Sequence, residues 1–441
     1  MPGAETFWVE TLGCPKNQVD SDKLTGTLLA DGYEPASTPE DADLVVVNTC
    51  AFIEPARQES VDTVLSLRDG ARDGARVVVT GCMAERYGDE LAEALPEADA
   101  VVGFGVPVSL GPTRTAGSGP TGTARLLTAP SLDLLELPRP AASAPWAYVK
   151  VAEGCDRACG FCAIPGFRGP QRSRTSASIL AEVDALVDGG AREVVLVAQD
   201  LAAYGRDREG GPDMSERRIV PLVEAVAERA DRVRLLYLYP SDLTDELVDA
   251  MLATGVPYFD LSLQHVSRPL VRRMRRWGDG ERFLERIERI RTLEPDATLR
   301  SSFIVGYPGE TEEDHDALLD FLAAARLDWV GFFPYSAEVG TYAAELDGQV
   351  DAALVRERLD ELADVQEPIT AAARDALVGH QVEVLVDAPG VARSHREAPE
   401  IDGIVRVGED LAVGEITTVQ IVASEGVDVV AEVDVAAGAV R

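Results

Sequence analysis

The stretch from Glu153 to Gly169, EGCDRACGFCAIPGFRG, follows directly on the β-rich run WAYVKVA (146–152). It sets Cys155, Cys159 and Cys162 in a CX3CX2C spacing. Three thiolates on one polar, glycine-rich loop can hold three corners of a cubane iron-sulfur cluster and leave the fourth iron open to a substrate. A zinc site that draws its fourth ligand from elsewhere is the other chemistry this spacing allows. Inert buried thiols fit such a loop less well.

Working downstream, EVVLVAQ (193–199), VRLLYLY (233–239), YFDLSLQ (258–264), LRSSFIV (299–305) and DWVGFFPY (328–335) are further strand candidates, each followed by a helix-length mixture of polar and apolar residues. Six βα units in about 220 residues predict a partial (β/α)6 barrel rather than a closed eight-stranded one. Past about Val365 the pattern changes to short alternating segments, QVEVLVD, GIVRV and ITTVQIVASE, which predict a small antiparallel β-barrel. Upstream, TFWVETLG (6–13), DLVVVNT (43–49) and RVVVTG (76–81) alternate with helical stretches, the pattern of an open parallel α/β sheet. Residues 106–145 are rich in Pro, Gly, Ser and Thr and read as a linker with room for one short strand. The expected division of this α/β chain is therefore 1–105, linker 106–145, 146–370 and 371–441.

The other three cysteines each end a similar phrase: ETLGC at Cys14, VVVNTC at Cys50 and VVVTGC at Cys82. Each falls just past the carboxyl end of a predicted parallel strand, where open α/β sheets bind their ligands. Separations of 36 and 32 residues match one βα unit apiece, so the three can converge as a second cysteine set. Three unrelated small core residues would give the same spelling. Six cysteines in a chain with no apolar run approaching 18 residues suit metal or redox chemistry in a reducing compartment, and a cytoplasmic location is expected.

The net charge is −35. That argues against retention on nucleic acid by phosphate contacts and toward a basic partner. Polar residues at the expected catalytic face of the barrel include Gln199 and Asp200, Ser241, Gln264 and His265, and Gly306 to Glu310, with Arg300 inside the fifth strand. IVGYPGETEED (304–314) also reads as a turn followed by a helix cap at Thr311. RRMRRW (272–277) is either a solvated helix face or a patch for an anionic partner.

With these residues in place, a resemblance can be stated. CDRACGFC, with its aromatic at Phe161, resembles the signature loop of the radical S-adenosylmethionine (SAM) superfamily. Together with ETLGCPKNQVDS, VVNTCAFIEPARQES, TGCMAERY, RGPQRSR and IVGYPGETEED, it resembles the methylthiotransferase family over essentially the whole chain, with that family's amino-terminal domain, radical SAM barrel and carboxyl-terminal TRAM domain. ARSHREAPEIDG (392–403) and LVAQDLAAYGRD (196–207) resemble the RimO-like branch, which acts on an aspartate of ribosomal protein S-twelve, more than the MiaB-like branch, which acts on a transfer RNA adenosine. Charge points the same way. Residues 377–441 contain 12 acidic and 4 basic side chains and no Phe, Tyr or Trp, a poor composition for gripping phosphates or stacking bases. The chain departs from the usual family spelling at Tyr307, where Phe is common, and at DLSLQHVS, where DIPLQH is usual.

The resemblance implies two 4Fe-4S clusters, one on Cys155, Cys159 and Cys162 and an auxiliary one on Cys14, Cys50 and Cys82. It further implies SAM as cofactor, Phe161 near its adenine, and Gln199, Gln264 and Arg300 as candidate contacts to cofactor or aspartate. The implied partners are basic protein S-twelve, free or in the small subunit, and an electron donor such as flavodoxin or ferredoxin. Two other readings are a transfer RNA methylthiotransferase and a non-catalytic iron-sulfur electron carrier, which would neither bind nor cleave SAM.

Overall fold

The computed structural model describes residues 5–108, 133–208 and 218–433. The chain divides into two compact units: residues 1–140 with 153–156 and 163–171, and the remainder.

The first unit is built on β1 (Thr6–Thr11), α1 (Pro15–Ala30), β2 (Glu34–Pro35), β3 (Leu44–Thr49), α2 (Glu54–Gly70), β4 (Arg76–Gly81), α3 (Cys82–Ala94) and β5 (Ala100–Val101). Its sheet runs β2-β1-β3-β4-β5, with every pairing parallel. LVVVNT of β3 is buried at every position, as a central parallel strand covered on both faces must be. Alternate side chains serve opposite faces. Leu44 and Val46 join Phe7, Val78, and Leu24 and Leu28 of α1, while Val45 and Val47 join Val77, Val79, Val64 of α2 and Met83 of α3.

The described ends of the 106–145 segment do not behave as a free tether. Val108 and Leu135 are buried, and Lys23 Nζ donates to the carbonyls of Leu135 and Leu137 at 2.8 and 3.1 Å. They contain no strand. Residues 109–132, with the rest of that expectation, lie outside the described residues.

Between β6 (Trp146–Lys150) and α5 (Ser176–Asp188) the chain carries three short elements, β7 (Ala152–Glu153), α4 (Ile164–Arg168) and β8 (Arg172–Ser173). The βα alternation then continues through β9 (Glu193–Val197), α6 (Ile219–Ala227), β10 (Arg232–Leu235), α7 (Asp245–Leu252) and β11 (Tyr258–Gln264). After α8 (Arg268–Arg273) and α9 (Gly280–Leu293) come β12 (Thr298–Val305), α10 (Glu312–Ala325), β13 (Trp329–Pro334) and α11 (Ala352–Asp375). The six strands pair in parallel as β6-β9-β10 and β11-β12-β13, joined by a bridge between Leu238 and Leu261. This is the expected partial barrel. Helix starts follow local sequence: Thr175, Thr244 and Asp279 each accept a hydrogen bond from a first-turn N–H, and Thr311 with Asp314 forms a capping box.

The last strands, β14 (Gln381–Ala388), β15 (Val391–Arg393), β16 (Val405–Arg406), β17 (Ile416–Glu425) and β18 (Asp428–Val433), close a barrel in the order β14-β15-β16-β18-β17. The expected antiparallel barrel closes through one parallel pairing, β16 with β18, because residues 407–427 carry the chain away before it returns. The expected boundary at 370 falls inside α11.

This small barrel belongs to the same compact unit as the larger one. The segment 393–402 meets side chains from the amino-terminal halves of the large barrel's strands. Tyr148 of β6 donates to the Pro399 carbonyl at 2.8 Å, and Trp329 of β13 to that of Arg396 at 2.7 Å. Glu193, fully buried at the start of β9, binds Arg234 of β10 at 2.7 Å and Arg393 at 2.9 Å. Tyr258 donates to Asp402 at 2.6 Å. ARSHREAPEIDG is thus the joint between the two barrels.

Candidate functional site

The sheet of the first unit brings its cysteines to the carboxyl ends of three adjacent strands. β1, β3 and β4 are neighbours, and Thr49 pairs with Gly81, so Cys50 and Cys82 leave adjacent strands at the same level, where parallel strands stand about 5 Å apart. Cys14 caps the amino terminus of α1, and Cys82 opens α3. Both thiols therefore sit at the positive ends of helix dipoles, positions that favour thiolate. Gly13, at φ +96°, permits the approach of Cys50: a Cβ there would lie 2.9 Å from Cys50 Sγ. Ser60 Oγ accepts from the Cys50 N–H at 3.1 Å.

A buried cation faces these thiols. Arg168 of α4 donates from Nη2 to Cys82 Sγ at 2.9 Å and to Asn17 Oδ1 at 2.7 Å, and from Nη1 to Glu153 at 2.8 Å; Asp20 lies 3.3 Å away. Asn17 in turn donates to the carbonyls of Leu12 and Thr49 at 2.8 and 3.1 Å, tying α1 to the ends of β1 and β3. Burial disfavours the Arg168 charge, but Glu153, Cys82, Asp20 and Cys14 more than compensate and hold it cationic. Burial also opposes ionisation of Cys14, yet Lys16, Arg168 and nearby N–H donors bring its pKa below the ordinary thiol value. Burial pushes Cys50 up to about 11, with Cys14 and Cys82 adding repulsion, and it raises Cys82 against the pull of Arg168. Cys50 feels the charges of Cys14 and Cys82, and Cys82 that of Cys14, as convergence requires.

Cys155 lies in this same unit, buried, its N–H donating to the Gly169 carbonyl at 3.1 Å. Gly154, at φ +77°, lets the backbone pass close to Pro170. Cys159 and Cys162 lie in the second unit and are half-buried. There Arg276 Nη1 donates to Cys159 Sγ at 3.1 Å, and the Cys162 N–H to the Cys159 carbonyl at 3.1 Å. Gly160 is fixed on both sides, donating to the Met274 carbonyl at 2.8 Å and accepting from Ala343 at 2.7 Å. Among the described residues no group of three His, Cys, Asp or Glu side chains is gathered to hold a single ion. The donor sets nonetheless fit iron-sulfur clusters, whose thiolates bind different irons. All six candidates are sulfur, and one thiol of each set already receives an arginine N–H, the kind of bond that stabilises a ligated sulfide or thiolate.

Around the second-unit cysteines, Arg157 stacks over the Tyr239 ring at 3.9 Å, binds Asp200 at 2.5 Å and pairs with Asp242; Arg276 covers the same ring at 4.2 Å. Phe161 packs against the cluster of Leu270, Met274, Ile304 and Tyr307. Gln199 follows β9, and Gln264 ends β11 at φ +71°. Arg300 is shared between Asp260 at 3.0 Å and Asp402 at 3.4 Å, which places its guanidinium at the joint with the small barrel. His265 is buried, accepts from the Ser267 N–H at 3.1 Å, and is held by burial at a pKa of about 4. In the Gly306–Glu310 turn, Glu310 accepts the N–H of Gly306 and pairs with Arg358 at 2.8 Å, a structural use of that phrase.

Sequence reasoning did not single out Arg168, Asn17 or Arg157, and it took Arg276 only as part of the basic run RRMRRW. Arg168 and Asn17 stand inside quoted phrases, RGPQRSR and CPKNQVDS, but nothing in the spacing marks them as neighbours of Cys82. For Arg157 and Arg168 the signal that could have found them is an arginine within or just after the glycine- and cysteine-rich stretch 153–169.

Comparison with known proteins places these features in context. Residues 6–103 match the model of uncharacterized protein family UPF0004, residues 149–322 the radical SAM superfamily, and residues 378–433 the TRAM domain. A protein of Moorella thermoacetica named ribosomal protein uS12 methylthiotransferase RimO is 44% identical over 94% of this chain and 95% of its own length. A Cutibacterium acnes protein of the same name is 42% identical over 97% of each. Among solved structures, the radical SAM methyltransferase TsrM of Kitasatospora setae, with cobalamin and a 4Fe-4S cluster bound, aligns over 93% of this chain and 80% of its own at a TM-score of 0.51. At 15% identity that likeness speaks for the fold alone.

Proposed function

The chain belongs to the radical SAM methylthiotransferase family, and from that membership we propose that it methylthiolates the β-carbon of an aspartate in ribosomal protein S-twelve. The family implies a 4Fe-4S cluster and SAM. Cys155, Cys159 and Cys162 would hold that cluster, and Cys14, Cys50 and Cys82 a second one. When bound, the first cluster and SAM supply a carbon radical able to take hydrogen from an unactivated C–H bond, which no side-chain base of ordinary pKa could deprotonate, and the second supplies sulfur. A second SAM would provide the methyl group.

The protein's own contribution is positional. Arg276 donates to Cys159 sulfur, and the backbone of Gly160 pins the loop between Met274 and Ala343. Arg168 neutralises the thiol pocket and ties it to Glu153, two residues before Cys155. Phe161, Gln199 and Gln264 are the proposed cofactor contacts. Arg300 would need to release Asp402 to join them, so its first task is to hold the small barrel.

The observation that carries the methylthiolation reading is the second set of three thiols at the carboxyl ends of adjacent strands, since SAM cleavage alone needs only one set. The choice of substrate is supported by the surface of the small barrel. Glu383, Glu409, Asp410, Glu415, Glu425 and Glu432 are exposed, whereas Arg393 is buried at the joint, Arg396 is directed to Asp296, and Arg406, though exposed, pairs with Asp428 at 2.9 Å. That surface attracts a basic protein and repels phosphates.

Anaerobic reconstitution tests the reading. About eight irons per chain and formation of 5′-deoxyadenosine are expected. Changing Cys155, Cys159 and Cys162 to Ala abolishes 5′-deoxyadenosine, while changing Cys14, Cys50 and Cys82 removes half the iron and stops sulfur insertion but leaves cleavage. Four irons in the wild type, or loss of cleavage in both triple variants with the fold intact, contradicts the division of labour.

A further inference from the structure

Residues 268–291 hold nine arginines against four acidic side chains, a surplus of five positive charges in a chain whose net charge is −35. Arg268, Arg272, Arg275, Arg282 and Arg289 are exposed. Trp277, 43% exposed, stands among them with the Arg282 guanidinium 5.5 Å over its ring. Beside it opens a groove of about 340 Å³ lined by Trp277, Arg282, Glu285, Arg286 and Arg289 over Leu261 and Leu263, with Asp245 pairing Arg286 and Arg289 at 2.6 and 2.8 Å. The inner side of this surface supports the cysteine loop: Met274 accepts from Gly160, and Arg276 donates to Cys159 sulfur.

We propose that this surface docks an acidic, low-potential one-electron carrier protein. The proposal rests on the radical SAM reading above, in which each SAM cleaved consumes one electron from outside the chain. The carrier gives up that electron in passing from its reduced to its oxidised form, and the C5′–S bond of SAM is the bond that breaks. Three features select the occupant. The surplus of arginine steers an acidic partner and leaves the basic substrate to the acidic small barrel. An exposed Trp flanked by Arg is the usual composition of an energetic anchor. Arg276 joins the surface to Cys159, a proposed cluster ligand, so a carrier landing there delivers its electron close to the cluster. A nucleic acid would share the charge preference but not the reason for that location.

The test compares reductants on the holoenzyme. The variant R272E/R282E/R289E changes exposed residues only, and circular dichroism and iron content confirm that it is intact. With reduced flavodoxin at low salt, its rate of 5′-deoxyadenosine formation falls about tenfold and loses its salt dependence. With dithionite the rate is unchanged. Equal rates with flavodoxin overturn the proposal, as does an equal fall with both reductants. Unchanged rates with flavodoxin but weakened binding of small-subunit RNA would overturn it in favour of an RNA surface. A wild type that makes no 5′-deoxyadenosine even with dithionite refutes the underlying radical SAM reading instead.

Discussion

Replacing Glu193 by Ala removes the carboxylate at the centre of the joint between the two barrels. Glu193 is fully buried and binds Arg234 at 2.7 Å and Arg393 at 2.9 Å, both of them also buried. Burial alone would raise its pKa, but Arg234 and Arg393 bring it down to about 2 from 4.5. A difference of 2.5 units at about 1.36 kcal/mol each is about 3 kcal/mol of stability at pH 7. Because the folded pKa is the lower one, this stabilisation is complete above pH 4.5 and is lost as the pH falls toward 2. By pH 3.5 roughly one unit of it, about 1.4 kcal/mol, has gone. Truncation leaves buried Arg234 with backbone carbonyls alone and Arg393 with Asp387 as its remaining carboxylate, and so costs about 3 kcal/mol. The assay is denaturant unfolding followed by fluorescence in a Trp8→Phe, Trp277→Phe background. That leaves Trp146, 5.8 Å from the Arg393 guanidinium, and Trp329, bonded to the Arg396 carbonyl. The difference between wild type and variant shrinks from pH 7 to pH 3.5. A midpoint shift worth less than about 1 kcal/mol, or a difference independent of pH, would refute the assignment of the joint to this ion cluster.

Arg168→Met removes the N–H donor to Cys82 and also the cation that Asp20 and Glu153 face, so it costs about 3–5 kcal/mol of stability; in protein that circular dichroism shows to be folded, the auxiliary set retains iron less well while 5′-deoxyadenosine still forms, and unchanged iron content sinks that role. Gly160→Ala would put a methyl 2.6 Å from the Tyr307 hydroxyl, costing about 1–3 kcal/mol and slowing SAM cleavage, and adding Tyr307→Phe restores part of the rate; no rescue means that the contact is not what matters. His265 stays neutral in the folded chain down to about pH 4, so its ring resonances show no titration between pH 8 and 5. Its folded pKa lies below the unfolded value of 6.5, so stability falls as the pH drops from 6.5 toward 4, and a His265→Gln variant lacks that slope.

Much of this architecture was legible because parallel strands buried on both faces must be nearly continuous runs of Val, Ile and Leu. RVVVTG, DLVVVNT and EVVLVAQ could hardly be anything else, and three of the runs in the first hundred residues end in a cysteine. The convergence of Cys14, Cys50 and Cys82 followed from strand adjacency, which βα connections favour. What was not legible depends on chain return. Arg168 lies 86 residues from the thiol it touches, and no periodicity encodes that meeting. RRMRRW offered a choice between solvent and partner, and the structure divides it: Arg276 turns inward to Cys159, whereas Arg272 faces out. ARSHREAPEIDG marked the branch by resemblance, yet its arginines and acids lie at the joint between the barrels. The substrate argument is therefore better carried by the exposed acids of the small barrel than by this segment.

The central claim is that six thiols in two sets serve methylthiolation of a protein aspartate. The most direct measurement is tandem mass spectrometry of purified S-twelve after anaerobic incubation with the reconstituted enzyme, SAM and reductant, with bulk transfer RNA treated in parallel. The account predicts one methylthio group on an aspartate β-carbon of S-twelve and none on RNA. Unmodified S-twelve beside a methylthiolated adenosine would contradict it.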